Sequence, residues 1–132
     1  MQGAGPPLTL IHGVGANLES WDGVAVRLTP YFTVARFDLR GHGGSGRIGA
    51  CSIDDFVADV AGLLDVLGSE STDLAGFSLG GLIAQHFTTL NPARVRRLAL
   101  LSTVAQRTPD ERARVLQRAD CVFRSIVNTV SV

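Results

Sequence analysis

The sequence predicts an α/β fold with a mostly parallel sheet of about four strands and flanking helices. Short apolar runs that are typical of buried strands alternate with segments whose apolar residues recur at helical spacing. Glycine-rich stretches, "HGVG" and "RGHGGSG", directly follow the first two apolar runs. Because strands separated by helices join through right-handed crossovers, this alternation favours parallel strands.

The predicted strands lie at residues 8–11, 32–37, 73–77 and 97–101. The first follows two prolines, and the second ends at Asp38, where turn-forming residues begin. The runs are short and rich in Leu, Val and Ala, as expected for strands that helices cover on both faces.

The predicted helices cover residues 20–28, 53–67, 79–90 and 110–121. Ser52 is a candidate N-cap of the second helix with Asp55 as its capping-box partner, and Gly68 follows the helix. Asn91 and Pro92 end the third helix, because the residue before a proline avoids the helical conformation. The closing residues, "CVFRSIVNTVSV", fit neither helical nor strand periodicity.

Composition favours one cytoplasmic domain that binds neither nucleic acid nor membranes. Twelve acidic residues balance twelve arginines, so no basic surface is expected. No apolar run approaches the ~20 residues that span a bilayer, and "MQGAGPPL" lacks the features of a signal peptide. Cys51 and Cys121 lack metal-ligand spacing, which predicts reduced thiols, no metal and no cofactor.

A serine flanked by glycines is the strongest chemical signal. Gly76-Phe77-Ser78-Leu79-Gly80 fits G-x-S-x-G between a predicted strand and a predicted helix. So sharp a turn strains the serine backbone, and side chains at Gly76 and Gly80 would clash with it. It would expose the Ser78 hydroxyl at the carboxyl end of the sheet as a candidate nucleophile. The simpler alternative is a serine that only caps or bends the start of the helix.

Three motifs, "HGVGANLESW", "DLRGHGGSG" and "GFSLGG", resemble those of the α/β-hydrolase superfamily in order and spacing. The chain most resembles the small lactonase, esterase and cofactor-free haloperoxidase-like branch, over residues 5–105. The resemblance implies a partial α/β-hydrolase fold with strands in the order second, first, third, fourth. It also implies acyl transfer to water from a small-molecule ester or lactone, with Ser78 as nucleophile and no cofactor.

The resemblance further implies an oxyanion hole made by the backbone N–H groups of Val14 and Leu79. Gly13 and Gly15 would let the first glycine loop approach the substrate closely. His12 at this position would support that loop without taking the serine proton. Trp21 fits an aromatic of the first helix, for which packing is the ordinary role.

The histidines other than His12 have ordinary structural interpretations. His86 lies eight residues beyond Ser78 on one helix, which places it about 12 Å along the axis, beyond hydrogen-bond reach. His42 belongs to the second glycine loop, where a role in the turn is expected. Asp38 and Arg40 open that loop, and a local salt bridge or turn cap is expected of them.

The family order of a catalytic triad is serine, acid, histidine, yet no histidine follows His86. Asp110, Glu111 and Asp120 fall where a cap segment would begin, so none is assigned as the acid. These features predict a truncated hydrolase core at 1–105 and the start of a cap or a divergent tail at 106–132. Such a fragment would lack the first strands and the triad acid and histidine. Bare sheet edges would favour self-association.

Two alternatives remain open from the sequence. One is a non-catalytic fragment that keeps the hydrolase scaffold. The other is a dinucleotide-binding unit, in which Gly13 and Gly15 would approach a pyrophosphate and Asp38 would bind a ribose. Leu18 stands at the third glycine position of that motif, where its side chain would obstruct helix–strand packing.

Overall fold

The computed structural model describes residues 1–46, 49–103, 108–111 and 113–114. Its strands and α-helices alternate along the chain as β1 (Pro7–Ile11), α1 (Asp22–Leu28), β2 (Thr33–Arg36), α2 (Ile53–Val66), β3 (Thr72–Phe77), α3 (Leu79–Leu90) and β4 (Val95–Leu101). Short 3₁₀ helices at Leu18–Trp21 and Pro92–Arg94 precede α1 and β4. The predicted elements up to residue 101 are present, with bounds that shift by at most two residues.

The four strands form one parallel sheet in the order β2-β1-β3-β4, which confirms the predicted fold class and strand order. Ile11 lies beside Gly76, and Phe77 lies beside Leu101. Because all strands point the same way, the loops that follow them meet at the carboxyl ends of the strands, on one side of the sheet. The segment between β3 and α3 lies at the centre of that side.

Apolar residues on the two faces of the sheet form separate core clusters. The cluster beneath α2 and α3 contains Ile11, Leu39, Phe56, Val57, Val60, Leu64, Leu74, Ile83, Ala84 and Phe87. The cluster beneath α1 contains Leu8, Leu10, Trp21, Ala25, Val34 and Ala75. Alternate residues of β1 therefore pack on opposite faces, as strand geometry requires. Trp21 is 8% exposed, in agreement with the packing role expected of it.

The predicted start and end signals of α2 are confirmed. The Ser52 N–H donates to an Asp55 carboxylate oxygen at 2.7 Å, and the Asp55 N–H donates back to the Ser52 hydroxyl at 3.4 Å. The hydrogen bonds from Ser52 lower the pKa of Asp55, the backbone N–H having the largest effect. Gly68 follows the helix with φ +62°, a conformation that favours glycine.

The two sheet edges differ, and the expectation of a bare β2 edge is wrong. Gln2 forms an antiparallel bridge with Val34 through hydrogen bonds of 3.1 and 2.8 Å, which partly covers β2. At β4 the side chains of Leu98, Leu100 and Leu101 are 37–44% exposed. Self-association through the β4 edge therefore stays a prediction.

The predicted helix at 110–121 is described only at its start. Residues 109–111 and 113–114 are helical, and the Thr108 N–H donates to Glu111 Oε2 at 2.9 Å. The rest of that helix, Asp120, Cys121 and the closing residues lie outside the described residues. The separate unit predicted at 106–132 therefore stays a prediction. Within the described ranges, no helix has the length and hydrophobicity needed to cross a membrane.

Replacing Phe87 tests the cluster beneath α2 and α3. Phe87 is fully buried, so Phe87→Ala should lower the free energy of unfolding by about 3–5 kcal/mol through lost burial and a cavity. Urea denaturation followed by circular dichroism measures the change. Val66 is 85% exposed, so the control Val66→Ala should stay within about 0.5 kcal/mol of the native chain. Equal losses in both variants would contradict this description of the core.

Candidate active site

Ser78 occupies the single residue between β3 and α3 in a strained backbone conformation. Its φ is +54° and its ψ is −113°, a region that costs a non-glycine residue about 1–3 kcal/mol. The Ser78 N–H donates to Leu101 O at 2.9 Å, and Ser78 O accepts from the Thr103 hydroxyl at 2.8 Å. The Ser78 side chain makes no capping hydrogen bond to α3, so the capping interpretation does not describe it.

The two glycines of the motif lie where no side chain fits. A Cβ on Gly76 would lie 2.2 Å from Gly80 O, and a Cβ on Gly80 would lie 2.3 Å from Ile11 O. Side chains at Gly76 and Gly80 would therefore clash with the backbone, as the sequence predicts. The clash at Gly80 arises because the first turn of α3 lies against the end of β1.

The loop after β1 lies against this turn. A Cβ on Gly13 would lie 3.2 Å from Ser78 Cβ, which places the two segments in direct contact. Gly15 has φ +73° and so needs the left-handed conformation that glycine tolerates. Val14, between these two glycines, is 72% exposed.

His12 is buried, and the backbone occupies both of its ring nitrogens. The Leu39 N–H donates to Nε2 at 3.0 Å, which requires an unprotonated Nε2. The hydrogen then resides on Nδ1, which donates to Gly13 O at 2.8 Å. This neutral imidazole holds the start of the first glycine loop and has no nitrogen available to take a proton from Ser78.

The other two histidines are also engaged away from Ser78. His42 Nδ1 lies 3.1 Å from Arg40 O, and the His42 ring packs edge-on against His12 at 5.3 Å between centroids. His86 Nε2 lies 2.8 Å from Asp54 Oδ1, which joins α3 to α2. Among the hydrogen bonds of the described residues, none joins a histidine to Ser78.

Asp38 caps the second glycine loop but does not pair with Arg40. Its carboxylate accepts from Leu18 N–H at 2.7 Å and from Gly44 N–H at 2.8 Å. The Gly44 hydrogen bond, followed by that of Leu18, lowers the pKa of Asp38. Of the two expected roles of Asp38, the turn cap is therefore right and a salt bridge to Arg40 is wrong. The Asp38 carboxylate is bound to protein amides, whereas the dinucleotide-binding alternative requires it to bind a ribose.

Arg40 pairs with α2 instead. Its guanidinium makes two hydrogen bonds of 2.6 Å to the Asp59 carboxylate, and these raise the pKa of Arg40 above its ordinary value. Asp55 lies 3.4 Å from the same guanidinium. The second glycine loop is thereby tied to α2.

An apolar cavity of about 230 Å³ opens beside the turn, lined by His12, Ala16, Ser20, Trp21, Val24, Phe77 and Leu101. Among the described residues, the buried indole N–H of Trp21 finds no hydrogen-bond partner. The cavity would suit a short apolar group next to Ser78. In the described ranges, no cluster of three or more His, Cys, Asp or Glu could hold a metal ion.

Two residues after β4 contribute to this edge and were not identified from the sequence. Thr103 supports the Ser78 carbonyl, and its side chain would lie 2.5 Å from a Cβ on Gly81. Ser102 has φ +46°, a second strained non-glycine position. Neither residue belongs to a recognisable motif, and only the end of the fourth strand could have directed attention to them.

Comparison with known proteins identifies relatives of this architecture. Residues 6–128 match the family model described as alpha/beta hydrolase fold. The (E)-2-((N-methylformamido)methylene)succinate hydrolase of Acinetobacter baylyi is 36% identical over 92% of this chain and 46% of its own length. A pimeloyl-[acyl-carrier protein] methyl ester esterase of Pseudoalteromonas atlantica is 38% identical over 76% of this chain and 38% of its own length.

Among solved structures, the enol-lactonase of Burkholderia xenovorans LB400 superimposes with a TM-score of 0.75 at 32% identity. The superposition covers 79% of this chain and 40% of the lactonase. The chain spans about half the length of the Acinetobacter baylyi hydrolase. These matches confirm the family resemblance and the branch with lactonase and esterase members that the three motifs predict.

Gly80→Ala tests the close approach of α3 to β1. The new methyl group would overlap Ile11 O, so the free energy of unfolding should fall by about 3 kcal/mol. Gly62 is the matched control, because it lies inside α2 with open space around an added Cβ. Gly62→Ala should therefore stabilise the chain by about 0.5–1 kcal/mol. Denaturant unfolding measures both, and a Gly80→Ala variant as stable as the native chain would refute the contact.

Proposed function

This chain belongs to the α/β-hydrolase family, and we propose that it carries the acyl-transfer site of a serine hydrolase, with Ser78 as nucleophile. The observation that supports this most is the strained serine at the turn between β3 and α3, whose side chain does not cap the helix. Strain that the surrounding contacts maintain is typical of functional positions. The substrate class that we propose is a small ester or lactone.

In the proposed reaction, the Ser78 oxygen attacks the substrate carbonyl carbon and the hydroxyl proton passes to a base. The tetrahedral oxyanion accepts hydrogen bonds from the Val14 and Leu79 N–H groups, and its collapse breaks the ester C–O bond and releases the alcohol, which takes the proton back from the base. For a lactone, the alcohol stays attached to the acyl group. Water then attacks the acyl-enzyme, which returns the serine and releases the acid.

Geometry supports these roles for Val14 and Leu79. The Leu79 N–H is in the first turn of α3, where backbone donors lack helical partners and the helix dipole favours negative charge. The contact between Gly13 and Ser78 brings the loop that carries Val14 to the same place. One such donor typically contributes about 3–4 kcal/mol to transition-state stabilisation. His12, Gly13, Gly15, Gly76 and Gly80 would then act by supporting this backbone.

A second candidate function is a hydrolase-like scaffold without turnover. The observation that favours it is the engagement of His12, His42 and His86 with other groups, so that none of them is hydrogen-bonded to Ser78 in the described structure. Without a base, the serine is a weak nucleophile, although an oxyanion hole and substrate binding alone can retain about 10³-fold catalysis over water. The cytoplasmic location stays a proposal under either function.

Labelling with a fluorophosphonate separates the two candidates. Intact mass spectrometry should find a single adduct on the native chain and none on Ser78→Ala, because only an activated serine displaces the fluoride. Ser69→Ala is the matched control: Ser69 precedes β3, at the end of the sheet opposite Ser78, and this variant should label as the native chain does. The absence of an adduct on a folded native chain would favour the scaffold without turnover.

The cavity predicts a preference for short acyl groups. With a volume of about 230 Å³ and an apolar lining, it should accommodate a butyryl group more readily than a dodecanoyl group. We expect p-nitrophenyl butyrate to react with a kcat/KM at least about tenfold above that of the dodecanoate, the effect of about 1.4 kcal/mol in the transition state. Equal kcat/KM values would show that acyl groups do not enter this cavity.

A further inference from the structure

Asp38 and Leu39, at the start of the second glycine loop, hold both ends of the first glycine loop. At one end the Leu39 N–H donates to His12 Nε2 at 3.0 Å, and the same imidazole donates through Nδ1 to Gly13 O at 2.8 Å. At the other end the Leu18 N–H donates to Asp38 Oδ1 at 2.7 Å. The segment 13–18, which carries Val14, is thus fixed at its start and at its end.

The half-buried Asp38 carboxylate is also held by its own loop. Its second oxygen accepts from Gly44 N–H at 2.8 Å, while the Ser45 hydroxyl donates to Asp38 O at 2.7 Å. Gly43 has φ +49°, and a Cβ there would lie 2.3 Å from Asp38 Oδ2. The chain therefore folds closely over the carboxylate, which leaves the side chain little freedom to move away from Leu18.

We propose that Asp38 is a positioning residue for the oxyanion hole: by binding the Leu18 N–H, it fixes the loop from which Val14 would donate to the reacting oxygen. Its catalytic consequence rests on the function proposed above. The structural part of the inference, control of the first glycine loop by the Asp38 carboxylate, is independent of turnover. A donor displaced by about 1 Å can cost 10²-fold in rate, so a fixed loop matters for catalysis.

The charge of Asp38 follows from its surroundings. The Gly44 amide, followed by the Leu18 amide, stabilises the carboxylate, and the nearby imidazoles of His12 and His42 would add to this only when protonated. The Arg40 guanidinium and the Asp59 carboxylate line a surface groove together with Asp38, but they pair with each other. The pKa of Asp38 thus lies below its ordinary value of 3.8.

The sign of the pH effect follows from this lowered pKa. Ionised Asp38 stabilises the fold, and this contribution is fully present above the unfolded pKa of 3.8. It is lost as the pH falls through the lower folded value. The first glycine loop should therefore stay fixed at neutral pH and loosen only in acid.

Amide NMR tests the structural part directly. In the native chain, the Leu18 and Gly44 amide resonances should titrate together in acid, with a shared midpoint below 3.8, and the Val14 amide should follow them. Asp38→Asn should abolish this shared titration, because a carboxamide does not ionise in acid. Asp65→Asn is the matched control, since Asp65 pairs with Arg94 and should leave the titration intact. A titration that persists unchanged in Asp38→Asn would overturn the proposal.

The rate of Ser78 phosphonylation tests the catalytic part. Asp38→Ala should lower it about tenfold to a hundredfold, and in ester hydrolysis it should lower kcat while KM changes by less than about twofold. Asp65→Asn should react as the native chain does. If the folded Asp38→Ala variant labels at the native rate, the positioning role is wrong. If the native chain is not labelled at all, the proposed function fails, and the amide titration alone decides whether Asp38 holds the loop.

Discussion

The close approach of α3 to the end of β1 is the contact on which the candidate site depends. Because Gly80 presents no side chain, its backbone lies against Ile11 O, where a Cβ would come within 2.3 Å. This approach lets the chain reverse from strand to helix through one residue, and that residue, Ser78, takes the strained conformation. The parallel order of the sheet places the loops after β1 and β4 on either side of the turn. The half-buried serine thus lies between those two loops.

Side-chain to backbone hydrogen bonds fix the loops that follow the strands around Ser78. His12 joins the first glycine loop to Leu39, Asp38 joins Leu18 to Gly44, and Thr103 supports the carbonyl of Ser78. Each side chain acts on backbone groups that neither strand nor helix satisfies, which explains why polar residues are half-buried or buried here. His12 and Asp38 therefore stabilise the backbone near the serine, and the described contacts give none of the three histidines a proton-transfer role.

Local signals explain how much of this could be predicted. The strands, the Ser52 capping box and the glycines around Ser78 follow from rules that act within a few residues. Contacts between distant residues do not: Asp38 binds Leu18, 20 residues away, and Arg40 binds Asp59, 19 residues away. The expected Asp38–Arg40 ion pair does not form, because amides of the two loops donate to the Asp38 carboxylate and Arg40 pairs with Asp59. The bridge from Gln2 to β2 also escaped prediction, since one residue has no strand periodicity.

The central claim is that the turn at Ser78 and the loop after β1 together form an oxyanion hole. A crystal structure of the chain after reaction of Ser78 with a fluorophosphonate tests it most directly, because the phosphoryl oxygen mimics the tetrahedral oxyanion. The account predicts that oxygen within about 2.7–3.1 Å of both the Val14 and the Leu79 nitrogen atoms. A phosphoryl oxygen directed to solvent, or held by neither amide, would contradict it.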